Sequence, residues 1–526
     1  MVNLNINASA ATLTKNRTED SVVPESGMCA TCIDGCIGMC DVGKSAYRGS
    51  EVLYPKPFGL ITSAGVKSYP MDFSQFTILG SCRGAYGIEA DSDKAIFTNV
   101  NLEQRIGRDK KIKLKLPFII PGLGSTAVAK NNWDGLAIGA ALSGIILTIG
   151  ENVCGMDPNL KLEKGKIVYS EELENRVKLY KEWQQDGYGG IVVQANVEGT
   201  KLGVQEYALD KLGVEIVEIK WGQGAKDIGG EVKLKTLKRA QVLKDRGYFV
   251  LPDPYDPTVI KTFENHVFNE FERHSRLGMA SEESFYKRVE ELRSLGAKYV
   301  FLKTGAYRPK DLALAVKCAS EAEIDLLTVD AAGGGTGMSP WRMMNEWGVP
   351  RFELWSLLYK YLDILSKKGK YIPDIAIASG ISMEDQIFKG LALGAPYFKL
   401  AGMARAPLAA AMVGKTIGKS IDDGELPVYI SRFGRRKEEI FIAAPELRHK
   451  FGDRFDSIPP GAIGLYTYMT RLEQGLKQLM CGARKFALEY ITRDDIASLT
   501  HKAEEITGIP LIMDYDKEEV EKLLDF

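Results

Sequence analysis

Histidine is scarce in this sequence: His266, His274, His449 and His501 are its only 4 in 526 residues, far apart and in ordinary surroundings. They suggest structural positions, and no histidine-built metal site is expected. An excess of charge is also lacking, since 68 Lys+Arg face 69 Asp+Glu for a net charge of −1. With no global field to attract phosphate backbones, nucleic acid is a poor partner and a small molecule a better one. Long hydrophobic runs are missing too. The start, MVNLNINASAATLTKNRTED, has no apolar stretch of the kind a secretory signal needs, and its acidic, Asn-rich character does not suit a transit peptide. The most apolar stretch, Leu136 to Ile149, is broken by glycines and too short to span a bilayer. It reads as a buried helix running into a buried strand. A cytoplasmic chain without a membrane span is the expectation, and there the 8 cysteines are reduced thiols, metal ligands or catalytic groups rather than disulfides.

The cysteines are unevenly placed. Cys82, Cys154, Cys318 and Cys481 are single, and read as small buried hydrophobes, with Cys154 near enough to Glu151 to edge a site there. Cys29, Cys32, Cys36 and Cys40 instead fall together in MCATCIDGCIGMCDVG. Their C-x2-C-x3-C-x3-C spacing is close to the C-x2-C-x2-C-x3-C of ferredoxins, and soft thiolates select iron–sulfur or zinc. A 4Fe-4S cluster is the leading expectation; zinc and unligated redox thiols are the alternatives. The surrounding segment is glycine-rich and lacks apolar periodicity, so it needs something to order it.

From about residue 115 short β-branched or apolar runs alternate with amphipathic stretches, the pattern of βα units. There are eight such runs: 117–121, 144–150, 190–195, 214–219, 298–303, 325–330, 374–379 and 397–402. Eight units in succession predict an α/β fold of the (β/α)8 TIM-barrel type rather than a doubly wound sheet. The expected organisation is a leader and Cys-rich segment over 1–50, a lead-in packing on the barrel over 51–114, the barrel over 115–420, and a helical extension over 421–526. Spacing is regular except between the fourth and fifth runs, where a Gly-rich loop, a Pro-rich turn and an apparent extra helix, IKTFENHVFNEFERH, intervene. Long loops at strand C-termini usually serve a site.

In a barrel the strand C-termini carry the chemistry. Here they bring GLGSTA (122–127), Glu151 and Asn152, Gln194, Lys220 with GQGAK, Lys303, DAAGGGTGMSP (330–340), Ser379 and Gly380, and Gly402 and Met403. The loops after strands seven and eight are the usual phosphate cradle of this fold, and Gly380 and Gly402 occupy those places. Turn geometry alone also asks for glycine. Lys303 is placed to stabilise negative charge on a reduced flavin, a salt-bridged structural lysine being the other reading.

The stretch VEIKWGQGAKDIGGEVK resembles the IKxxQGAKxxxGG signature of the FMN-binding domain of glutamate synthase, and VDAAGGGTGMSP resembles its HDGGTGASP loop. PFIIPGLGST, LTIGENVCGMDP and ASGISMEDQIFKGLALGAPYFKLAG are similar to further segments in the same order, so that the resemblance covers roughly residues 115 to 415. It implies FMN held by Gly124, Ser125, Gln194, Lys303, Asp330, Gly334, Gly335, Ser379, Gly380, Gly402 and Met403. It implies a 2-oxo or imino acid held against the flavin by Glu151 and Lys220, with Gln223 and Lys226 extending that wall. The implied reaction is reduction of 2-iminoglutarate to L-glutamate, with a lysine on the substrate carboxylate and a carboxylate beside the imine nitrogen.

Departures from the family are as informative. Position 2 is Val, where a glutaminase domain would begin with cysteine, and the post-barrel cysteine triplet and β-helical domain are missing. Ala331 and Ala332 break the HDGG loop. The expectation is therefore a stand-alone synthase in an oligomer, its lost cluster replaced by the N-terminal cysteines. Electrons would come from ferredoxin or a separate flavoprotein or NAD(P)H-oxidising subunit, and the amine from ammonia, an alkylamine or a separate glutaminase subunit. Two rivals remain: an FMN barrel enzyme acting on another 2-oxo or 2-hydroxy acid, awkward without a strand-end histidine base, and a non-catalytic electron-transfer subunit.

Overall fold

The computed structural model describes residues 65, 67, 69–123, 127–224, 227–228, 231–336 and 339–525. The eight expected runs form eight parallel strands closed into a barrel: β1 (Phe118–Leu123), β2 (Ile146–Ile149), β3 (Gly190–Ala195), β4 (Ile216–Lys220), β5 (Tyr299–Thr304), β6 (Leu326–Asp330), β7 (Asp374–Ala378) and β8 (Phe398–Gly402), with β8 pairing back onto β1. The strands are buried almost throughout, as a parallel sheet covered by helices outside and filled by side chains inside requires. Trp133–Leu142 is a helix buried on nearly every side that runs into β2, so the most apolar stretch of the sequence is core.

The lumen is built in layers. One side chain from every strand, Ile119, Ile146, Val192, Ile216, Phe301, Leu326, Ala376 and Leu400, joins a separate buried cluster with Ile106, Ile112 and Leu114. Those three come from an antiparallel hairpin, Gln104–Ile106 with Ile112–Leu114, which plugs the N-terminal mouth. Asp374 at the start of β7 fixes this plug by accepting from the Gly107 amide at 2.8 Å and pairing with Lys110 at 2.6 Å. Because side chains alternate along a strand, the residues two further on share the lumen. That next layer holds Thr148, Gln194, Glu218, Lys303 and Thr328, all buried. An apolar floor thus gives way to a polar ceiling at the C-terminal mouth.

Outside, helix Pro460–Gly482 lies against Trp133–Leu142 and Arg405–Asp422. Glycines permit the close crossing: a Cβ on Gly414 would lie 2.5 Å from Pro460 O, and one on Gly139 would lie 2.8 Å from Leu465. The C-terminal helices therefore share the barrel's outer core. Strand Phe76–Ile78 pairs with Ile496–Ser498, which ties the lead-in to the tail.

The segment between β4 and β5 is a small subdomain. Its antiparallel sheet has Phe271–His274 between Glu231–Leu234 and Phe249–Leu251, over a core of Leu234, Ala240, Leu243, Tyr248, Val250 and Phe271. The extra helix read from IKTFENHVFNEFERH is only half realised: the helix is Pro257–Glu264, capped by Asn265 and followed by His266 at φ 57°, and FERH is the central strand. Burial alternates along Phe271–His274, a two-residue period hidden inside an apolar spacing that also suits a helix.

Candidate active site

At the C-terminal mouth Lys303 of the polar layer, the strand-end loops and the insertion residues Glu231 to Thr236 enclose a cavity of about 970 Å³. Its glycine wall comes from Gly333, Gly334 and Gly335 after β6, Ser379 and Gly380 after β7, and Gly402, Met403 and Ala404 at β8. Ser379 at φ 126° and Gly380 at φ 65° turn the chain sharply beneath the cavity. A non-glycine residue held in that region marks a backbone constrained by its surroundings. A Cβ on Gly402 would lie 2.9 Å from Ala378 Cβ, and one on Gly334 would lie 2.7 Å from Asp330 Oδ1, so at both positions glycine is also what the packing admits. Helix Arg405–Asp422 begins at this wall, with Arg405 among the lining residues. Backbone N–H groups at a helix start, loops free of side chains and a cation suit a phosphate.

The opposite wall is charged. Lys220, the last residue of β4, donates to Glu151 Oε1 at 2.7 Å and to Gln223 Oε1 at 2.9 Å. Asn152 Nδ2 also donates to Glu151 Oε1, at 3.0 Å. Burial pushes the Glu151 carboxyl up, but the Lys220 ammonium, its hydrogen bond and the Lys303 charge outweigh it and hold the group below the usual carboxylate range. Gln223 reaches Thr336 of the loop after β6 at 3.4 Å. That loop and the one after β4 are nearly in contact, since a Cβ on Gly224 would fall 1.9 Å from Ala331 O.

Lys303 lies between the walls, 3.2 Å from Asp330 and nearly buried. Burial works against its charge, but Asp330 and Glu218 outweigh this and keep its ammonium above the usual lysine range. It is a lysine paired inside the barrel and a lining residue of the cavity at once. Gln194 lies beneath the floor: it donates to Glu218, and its Oε1 stands 2.6 Å from where a Cβ on Gly122 would be, buried without a hydrogen-bond partner. An acceptor left over under a glycine floor fits a planar ligand carrying an N–H. The donor set and the glycine cradle together fit FMN.

The structure thus gathers Glu151, Lys220, Gln223, Lys303, Asp330, Gly334, Gly335, Ser379, Gly380, Gly402 and Met403 around one cavity, with Gln194 one layer below. Gly124, Ser125, Lys226 and the cysteines Cys29, Cys32, Cys36 and Cys40 lie outside the described residues. Among the described residues no group of three or more His, Cys, Asp or Glu is arranged to hold a metal. Cys154 is buried and absent from the cavity lining, its thiol pushed up to about 12 by burial, so it does not edge the site. No helix is long and apolar enough to cross a membrane among the described residues.

Sequence reasoning missed Glu218, buried directly under the charged wall. Burial raises its pKa more than Lys303 and the Gln194 hydrogen bond lower it. The signal was present, because Glu218 stands two residues before Lys220 and alternation puts both on one side of the strand.

The structure is thus a closed (β/α)8 barrel with its cavity at the C-terminal ends of the strands. Residues 273–414 match the family described as a conserved region in glutamate synthase. Sequence comparison with curated proteins gives no match. Among solved structures the chain is similar to a flavocytochrome b2 variant with pyruvate bound, at 12% identity over 85% of this chain and 81% of that one, TM-score 0.45. It is similar to a lactate oxidase of Pediococcus acidilactici, at 13% identity over 84% and 90% of the two chains, TM-score 0.45. A soluble mutant of the membrane-associated (S)-mandelate dehydrogenase of Pseudomonas putida has 14% identity over 81% and 88%, TM-score 0.43. Likeness at that level carries no argument about substrate.

Proposed function

We propose that the protein reduces a 2-imino acid, formed from a 2-oxo acid and ammonia or an amine, to the amino acid, with 2-iminoglutarate and L-glutamate as the leading pair. The observation that carries this is the Lys220–Glu151–Gln223 wall facing a glycine-built cradle across one cavity. FMN, when reduced, supplies a hydride equivalent to the C2 of the imine. Lys220 presents a fixed ammonium to the substrate carboxylate. Glu151, held ionised by Lys220, is an acceptor and not a proton donor. It stabilises a protonated imine nitrogen, which makes C2 electrophilic. Because the imine nitrogen already carries its proton, Glu151 serves as an acceptor throughout and need not give one up. Lys303 holds negative charge at the cavity floor. A 2-hydroxy-acid oxidation is less well served, as no histidine lines the cavity among the described residues.

In this reading Cys29, Cys32, Cys36 and Cys40 bind the iron–sulfur cluster that relays electrons from ferredoxin or a flavoprotein subunit. Anaerobic purification with flavin extraction and iron and zinc analysis tests the cofactors. Stopped-flow mixing of the reduced protein with 2-oxoglutarate plus ammonium tests the reaction. Rapid reoxidation needing both reagents supports it; iron-containing flavoprotein that neither ammonium nor alkylamines help to reoxidise refutes it.

A further inference from the structure

The inserted sheet between β4 and β5 carries an arginine that the reaction as derived above does not use. Arg273, in the central strand Phe271–His274, is fully buried and lies opposite Val232 and Val250 of the flanking strands. Burying a guanidinium is costly unless its donors are used. One face stacks on the Tyr248 ring at 4.6 Å, Nη1 donates to Ser275 Oγ at 2.7 Å, and Nη2 donates to Asn152 Oδ1 at 2.9 Å. Asn152 Nδ2 in turn donates to Glu151 Oε1 at 3.0 Å, and Glu151 accepts from Lys220 at 2.7 Å. The links form one unbroken chain from the insertion to the charged wall.

We propose that Arg273 is a positioning residue for Glu151, acting through Asn152. A guanidinium only donates, so it fixes the carbonyl end of the Asn152 amide toward itself and the NH2 end toward the carboxylate. Without it the amide is free to turn its oxygen toward Glu151, which replaces a donor by a repulsive acceptor. The insertion thereby sets the charge and aim of a group on the other side of the barrel mouth. The proposal rests on the role given to Glu151 above.

Other charged groups face the same carboxylate and must be separated from the effect. Lys220 and Glu218 come from β4 and Lys303 from β5, while Glu198, Glu231 and Tyr248 surround Arg273 itself. Removing Arg273 alters the field as well as the amide, so the test is non-additivity.

The protonated-carboxyl band of Glu151, identified as the one lost in Glu151→Gln, is titrated by infrared spectroscopy in the full-length flavoprotein without turnover. Arg273→Met and Asn152→Ala are each expected to raise its midpoint by about one unit, the worth of one lost hydrogen bond to a charged group. The double variant is expected to shift by clearly less than the sum of the two single shifts, because both remove the same hydrogen bond while the field of Arg273 is lost in addition. An unmoved midpoint in Arg273→Met, or shifts that add in the double variant, would overturn the proposal. If Arg273→Met does not fold, Arg273→Lys replaces it. It is expected to give a smaller shift that vanishes in the Asn152→Ala background, and a shift of equal size in both backgrounds overturns the proposal. Failure of wild type to reduce any imino acid would strike the reaction and leave this titration standing.

Discussion

Replacing Lys220 with methionine keeps the stem and removes the charge. Its ammonium lies 2.7 Å from Glu151, and each side chain is 11% exposed, so the variant strands a carboxylate with little access to water. Breaking a buried pair from one side costs about 3–5 kcal/mol. Glu151 limits the loss by taking up a proton. Neutralising a carboxyl with an ordinary pKa of about 4.3 at pH 7 spans about 2.7 pH units at about 1.4 kcal/mol each, roughly 3.7 kcal/mol. The sign follows from linkage. In wild type the Glu151 pKa is depressed, so the pair stabilises above the unfolded value and the gain is lost as pH falls through the folded one. In Lys220→Met the folded pKa is raised instead, and the penalty grows with pH above about 4.3. Denaturant unfolding followed by tryptophan fluorescence should show a deficit of about 3–4 kcal/mol at pH 7 that narrows by about 1.4 kcal/mol per unit toward pH 5.5. Adding Glu151→Gln should restore most of it. A deficit independent of pH, or one that Glu151→Gln leaves in place, would refute the reasoning.

Glu218→Gln should be stabilising. The native carboxyl has a raised pKa, so wild type loses stability as pH rises through the window between the ordinary and the raised value. The glutamine variant should melt higher at neutral pH, by the equivalent of about 1 kcal/mol, with the advantage shrinking on acidification, and it should retain less flavin after gel filtration. Gly224→Ala pushes a methyl to 1.9 Å from Ala331 O, a backbone atom that cannot swing aside, and should cost about 1–3 kcal/mol while parting the loops after β4 and β6. Thermal melts and the rate of flavin reoxidation check both effects. Iodoacetamide at pH 8 should label exposed Cys82 and leave Cys154 untouched, because burial pushes the Cys154 thiol up to about 12; peptide mapping of the native protein reads this directly.

Strand periodicity made the barrel legible. Each of the eight runs became one barrel strand, because parallel strands buried on both faces must be continuously apolar and that pattern survives in one dimension. Strand ends marked Glu151, Lys220, Lys303, Gly380 and Gly402 for the same reason. The hairpin plug escaped notice because its strands are three residues each, too short for any period to register. FERH passed for helix because the four residues fit either period until the neighbouring strands are in place.

By itself the sequence determined the closed parallel barrel and the face on which chemistry is done, since both follow from local alternation and from what each strand ends with. Tertiary structure alone decided how the charges divide. Only the packing of neighbouring strands and of the inserted sheet sets Lys220 against Glu151 and Lys303 against Asp330, leaves Glu218 buried with a raised pKa, and brings Arg273 to Asn152 from 121 residues away. Electrostatic energy depends on distance and burial, and neither quantity is written along the chain.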